Sequence, residues 1–277
     1  MASIATTVRP ATRTRAIAVP LRTLAQRRFQ LTARTPRELF VPLLTPMLFA
    51  LVIAPALKAA LHTSDAYESF IAIGTVGLLI PLNTMFSGLS VIIDRESGAQ
   101  RELLTAPIPR PLLMLGNLAV ALLVTSFQVV ALLGFAILRG IPFHASAAGI
   151  GWFTATALLF SVGMYGAAET LASRVPRQEE YIARVPAVAI VPWFLAGSLF
   201  PIDALPGFLA WIARFLPLTH GLAVMRYGLL GDRTGLANIW GMGSATLMAG
   251  LSLAVVTLFA VLLTVISIRV FTRSVVH

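Results

Sequence analysis

Glu179 and Glu180, with Arg184 four residues after the second, are the one place in this chain where two carboxylates stand side by side. Paired acids can activate water for hydrolysis when histidines or a metal complete the set. The four histidines, His62, His144, His220 and His277, form no ligand-spaced pair, and the absence of cysteine removes thiolate nucleophiles, thiolate metal sites and disulfides. ATP chemistry is excluded in its commonest form, because the single lysine, Lys58, is followed by Ala59 and cannot belong to a P-loop. A second polar group, Asp94, Arg95, Glu96, Arg101 and Glu102, interrupts two apolar runs. Gly98 permits a sharp turn, Leu103 and Leu104 follow, and Pro107 and Pro109 close the stretch. Two readings fit it: charges that solvate a turn, with Arg101 and Glu102 paired inside the loop, or a docking element in which leucines anchor a short helix in a groove while charges set its register. Two polar residues remain. Glu169 ends an apolar run, where a carboxylate is costly unless it pairs or reaches water, and Arg174 is within reach to meet it. His220, with Asp203, lies in a proline-rich segment, where it caps a turn or lines an exit.

The elements that carry these residues must cross a membrane. Of the 277 residues 57% are hydrophobic and 12% charged, and the mean hydropathy is +0.86, which describes an all-α polytopic membrane protein. A crossing takes about 20 apolar residues. Six runs qualify or nearly qualify: 39–57, 70–93, 112–138, 150–171, 185–200 and 245–268. The second carries Pro81 and Asn83, a kink that needs a polar partner, and the third has Gln128 as its strongly polar interior residue. Gly163 and Ala167 in the fourth have the spacing of close helix approach, which is common by chance in such sequences. The fifth, broken by Pro186 and Pro192, reaches about 24 Å and barely crosses.

Residues 1–19 read as a disordered basic cytoplasmic tail, preferred over a transit peptide of similar composition. Residues 20–38 read as an amphipathic interfacial helix, with Leu21, Leu24, Ala25 and Phe29 on one face. The six-helix transmembrane domain then fills 39–277. Its charged loop is 94–111, and 201–231 forms short re-entrant helices before the last span. The net charge of +10 sits at the ends of apolar runs, which points to orientation and anionic lipid and away from nucleic acid. The tail, the Asp94 loop, the loop 172–184 and the C-terminus share 16 of the 21 basic residues, so all of them are expected in the cytoplasm.

The run from Asp94 to Asn117, with its acid-x-Gly loop, Glu-Leu-Leu and prolines, resembles the membrane subunits of type-2 ABC transporters. Gly197 to Pro201, Pro206 to Trp211 and Pro217-Leu218-Thr219-His220 match that family's segment between the short fifth and the last span. The likeness covers residues 21–273 and is closest to drug-resistance and nodulation-type permeases of the bacterial inner plasma membrane. It implies a multi-pass exporter subunit without an ATPase site, bound to a separate ABC ATPase that holds the ATP. It also implies a homodimer or a heterodimer with a related permease, and a hydrophobic drug, lipid or glycolipid as cargo. No cofactor is expected on this chain. Glu96, Gly98, Arg101, Glu102, Leu103 and Leu104 become the ATPase-coupling candidates, and Glu169 and His220 candidates for a pathway or interface.

Two rivals follow from other residues. Glu179 to Arg184 resembles the EExxxR element of prenyl-protease-like membrane enzymes, but that family's Phe-x-x-x-His is missing, since Phe215 precedes His220 by five. A proton-coupled secondary transporter would carry ionisable groups at mid-membrane depth, and none of the runs does.

Overall fold

The structure, a computed structural model, describes residues 13–34, 36–62, 64–105 and 109–274. Twelve α-helices account for most of the described residues, and no strand occurs among them. Residues 1–12, most of the sequence read as a tail, lie outside the described residues, as does His277. Helix α1 (Arg13–Arg34) begins before the expected boundary at residue 20 and continues through Pro20. The side chains that α1 buries also depart from expectation. Arg28 and Thr32 are buried beside the half-buried Leu24 and Ala25, whereas Phe29 is 47% exposed. The neighbouring helices explain this: Asn83, Ser87 and Asn117 line the same small cleft as Arg28 and Thr32, along with Phe86, Val120 and Val124, so a mixed polar and apolar seam faces the bundle.

Helix α2 (Pro36–Leu48), a π turn (Phe49–Ile53) and α3 (Ala54–Leu61) form one continuous rod. Its membrane-length segment is Leu43–Leu61, so Lys58 lies inside it and pairs with Glu68 at 3.1 Å. Helix α4 (Asp65–Glu96) is the axis of the fold. Residues 71–85 are buried on every side, because α2, α6, α7, α8 and α10 all pack against it. The polar residues around its Pro81 are satisfied inside the bundle. Thr84 Oγ1 donates to the Ile80 carbonyl at 2.8 Å, and Asn83 donates to Thr125 on α6.

After α5 (Ala99–Thr105) come α6 (Arg110–Leu138), α7 (Ala147–Ala172) and α8 (Gln178–Leu195). Helices α9 (Gly207–Ala213), α10 (Pro217–Leu230), α11 (Thr234–Trp240) and α12 (Ala245–Ser274) complete the chain. Among the described residues five helices are long and apolar enough to cross a membrane: Leu43–Leu61, Ala66–Glu96, Pro111–Leu138, Ala147–Ala172 and Ala245–Thr272. Helix α8, which carries the expected fifth run, is not among them, since it opens on Gln178, Glu179 and Glu180 and ends at Leu195. Gly197, at φ +76°, then turns the chain so tightly that a Cβ there would stand 2.8 Å from Ile202 Cγ2. Helices α9 and α10 are bent by 79° relative to each other, the geometry of a broken span or a re-entrant pair.

In α7 the residues that allow a close approach to α12 are Gly163, one of the expected pair, and Gly166. A Cβ on Gly166 would stand 2.8 Å from the Leu263 backbone of α12, and one on Gly163 would stand 2.7 Å from the Phe259 ring. Small residues let the two backbones approach where lipid supplies no hydrophobic drive for helix pairing.

Candidate coupling face

One end of the bundle gathers the charged residues singled out by the sequence. Helix α4 ends on Ser97, and Gly98 reverses the chain at φ +82° with open space about its Cα, after which α5 runs back along α4. A left-handed φ of this kind favours glycine, so any other residue at position 98 would be strained. Arg95 is the fastener of this end. Its Nη1 donates to the Ala172 carbonyl at 3.1 Å, and its Nη2 donates to Val175 at 2.5 Å and Pro176 at 3.2 Å. These carbonyls form the C-terminal turn of α7 and the link to α8, where a cation also complements the helix dipole. Glu96 Oε2 accepts from Gln178 Nε2 at 2.5 Å, and Asp94 pairs with Arg27 of α1 at 3.5 Å. The surface-facing α1, the Asp94 loop and the 172–178 link are therefore tied into one unit.

Of the expected coupling residues, Glu96, Gly98 and Leu103 have described side chains or turns, and all three belong to this unit. Leu103 is half-buried. With Asp94, Gln100, Met114, Asn117 and Glu169 it lines a cavity of about 30 Å³, so it contacts its own bundle. Arg101, Glu102 and Leu104 lie on α5, but their side chains fall outside the described residues.

Glu169 sits directly inside this face and is 1% exposed. Its partner is Tyr165, one turn earlier on the same helix, whose hydroxyl donates to Oε1. Arg174, expected to meet the carboxylate, is exposed instead. The i,i+4 spacing of Tyr165 and Glu169 was the available signal, since such pairs share a helix face. Glu169 Oε2 is buried without a hydrogen-bond partner beside the cavity that Leu103 lines. Arg95, the residue that does most to join the two loops, carried no signal of that role, because its three acceptors are backbone atoms about eighty positions away in the chain.

His220 lies elsewhere. It is 3% exposed, and its Nε2 lies 2.9 Å from the Arg214 carbonyl, which can only accept, so this nitrogen carries the proton. Nδ1 then accepts from Ser252 Oγ at 3.2 Å, and Ser252 in turn accepts from Trp240 Nε1 at 2.8 Å. The ring joins the α9–α10 corner to α11 and α12. Replacing His220 with alanine strands the Arg214 carbonyl and the Ser252 hydroxyl, for a destabilisation of about 1–3 kcal/mol. This should be read as a lower unfolding midpoint of the purified protein in detergent.

The residues behind the protease rival do not assemble. Glu180 pairs with Arg184 at 3.6 Å on the exposed side of α8, and Glu179 is exposed. Among the described residues no group of three His, Asp or Glu is placed to hold a metal ion.

Membrane-length helices packed around a buried axial helix, with a charged unit fastened across one end, define a multi-pass membrane protein. The sequence matches the ABC-2 type transporter family over residues 20–230, and the chain belongs to that family. Among its relatives is the putative transport permease ycf38 of Porphyra purpurea. That protein is 26% identical over 212 residues, which cover 74% of this chain and 72% of the relative. The corresponding protein of Cyanophora paradoxa is 28% identical over 211 residues, with coverage of 74% and 72%. The probable multidrug ABC transporter permease YbhR of Escherichia coli K12 is 23% identical over 176 residues, covering 63% of this chain and 47% of that protein.

Proposed function

We propose that this chain is the membrane-spanning permease subunit of an ATP-driven exporter that moves a hydrophobic or amphipathic compound, a drug, lipid or glycolipid, out of the cytoplasm. The chain binds no cofactor of its own, and ATP is held and hydrolysed on a separate ABC ATPase subunit. The permease pairs with a second copy or with a related permease, in a bacterial inner membrane. The short α8 completes a set of six spans, with both termini in the cytoplasm and α1 lying on the membrane surface.

The observation that carries this reading is the fastening of Arg95 to the α7–α8 link, together with the Glu96–Gln178 bond. A push on the Asp94 loop is transmitted at once to α4, α7 and α8, which is what a mechanically driven permease requires. Arg101, Glu102 and Leu104 serve as docking residues, and Leu103 passes the movement inward toward Glu169. The cargo class is supported by a cavity of about 200 Å³ lined by apolar side chains, among them Phe160, Met164, Val188 and Leu218. The multidrug description of the Escherichia coli relative agrees with it.

Co-expression with a candidate ABC ATPase should yield a complex on affinity purification, and the double variant Glu102→Ala, Leu104→Ala should lose the ATPase while remaining folded. Transport that persists with the partner's ATP site inactivated, but collapses with the proton gradient, would sink the reading.

A further inference from the structure

Far from the coupling face, about 36 Å along α4 at 1.5 Å per residue from Asp94 to Phe70, lies a cavity of about 220 Å³. It is bounded by the start of α4, the turn after α8, α10 and α11, and two of its wall residues are deeply buried polar groups. Arg226 is 5% exposed and Thr219 3%. Arg226 Nη1 donates to the Gly197 carbonyl at 2.9 Å, and Nη2 donates to Ser198 at 3.0 Å and Phe70 at 3.3 Å. The guanidinium carbon also lies 3.3 Å from the centroid of the Phe70 ring. Arg226 Nε and Thr219 Oγ1 are buried without hydrogen-bond partners.

Pinning the turn after α8 accounts for the two terminal nitrogens of Arg226 but not for Nε, nor for Thr219. It also leaves the positive charge bonded to neutral carbonyls, with Asp232 acting on it through Coulombic attraction alone. A buried cation is costly unless an anion compensates it. The carboxylate at the cavity, Asp232, does not bond to Arg226. Its Oδ1 accepts from the backbone N–H and the hydroxyl of Thr234 at 2.8 and 2.6 Å and so fixes the start of α11. What remains is a cavity with a buried guanidinium that the Asp232 carboxylate attracts without bonding, two donors without partners, and Asn238 on its wall.

We propose that this cavity binds a phosphate-class anionic group, carried by the headgroup of an amphiphile or present as the free ion, with Arg226 Nε and Thr219 Oγ1 donating to its oxygens. Phe70, Ile202 and Ile239 on the same wall suit the glycerol or alkyl stem that follows such a headgroup. The site rests on the exporter reading only for its meaning, as a station for cargo on the side opposite the ATPase. Binding itself does not depend on that reading.

The test is titration of the purified full-length chain, in a neutral maltoside detergent, with dihexanoyl phosphatidic acid, dihexanoylglycerol and inorganic phosphate, read by calorimetry. Two variants leave the Arg226 contacts in place. Asn238→Asp adds a negative charge to the wall. Gly235→Leu fills the cavity, since a Cβ there meets only Ala223 and Asp232 at 3.8–3.9 Å and the helix tolerates it. Saturable binding of phosphatidic acid but not dihexanoylglycerol, weakened about tenfold or more in both variants, supports the site. Inorganic phosphate binding as tightly as the lipid identifies the free ion as the source, and much weaker phosphate binding identifies a headgroup. No binding by either phosphate compound, or binding unchanged in both variants, overturns the proposal. If binding fails while the ATPase still co-purifies, the exporter reading stands without this site. If binding holds and no ATPase associates, the site stands alone.

Discussion

Substituting valine for Gly149 is expected to abolish accumulation of folded protein. Helices α7 and α10 cross so closely at this point that a Cβ on Gly149 would fall on the Gly228 carbonyl, and one on Gly228 would fall on the Gly149 carbonyl. The obstruction is backbone and not the end of a flexible side chain, so nothing local can swing aside. Overpacking a buried contact costs about 1–3 kcal/mol where side chains relax, and this crossing lies at or beyond the upper end of that range. Helix α10 also carries Arg226 and His220, so displacing it breaks their bonds to the turn after α8 and to α12. Gly134→Val is the matched control, because a Cβ there meets nothing within 4 Å. The expected result is loss of the monodisperse size-exclusion peak for Gly149→Val and a wild-type peak for Gly134→Val.

Arg95→Ala should separate ATP hydrolysis from transport. With the guanidinium gone, the Asp94 loop keeps its α5 helix but loses its hold on Ala172, Val175 and Pro176. The ATPase should still co-purify, because the docking residues are untouched, while export falls by about an order of magnitude or more. Arg95→Lys should restore little, since a single ammonium lacks the planar fork that reaches three carbonyls at once. Paired measurements of ATP turnover and cargo export decide the matter. Wild-type export by the alanine variant would show that the clamp transmits nothing.

The long apolar helices were legible because membrane crossing imposes length and composition on contiguous residues. Helices α4, α6, α7 and α12 accordingly cover the expected runs. Features set by residues distant in sequence were not legible. The burial of Arg28 depends on Asn83 and Asn117, which line its cleft from α4 and α6. The Gly149–Gly228 crossing joins two glycines that no local pattern relates, and the Arg95 clamp uses backbone acceptors that carry no side-chain code. Helix α8 does not coincide with the apolar run 185–200, because helix ends are set by caps and turns and not by apolar content. The helix itself begins with the charged turn at Gln178 and stops at Leu195, just before the Gly197 reversal. The charged loop was recognised as a unit, whereas the inward position of Leu103 required the cavity beside Glu169.

The hydrogen bonds through Trp240, Ser252, His220 and Arg214 all run in one direction. Each donor in the series is already committed, and the imidazole is the one buried histidine among the described residues. To take up a second proton, Nδ1 would have to turn the Ser252 hydroxyl away from it. The ring is thus a closed link and not a relay station: it holds α9, α10, α11 and α12 in register and carries no proton between them.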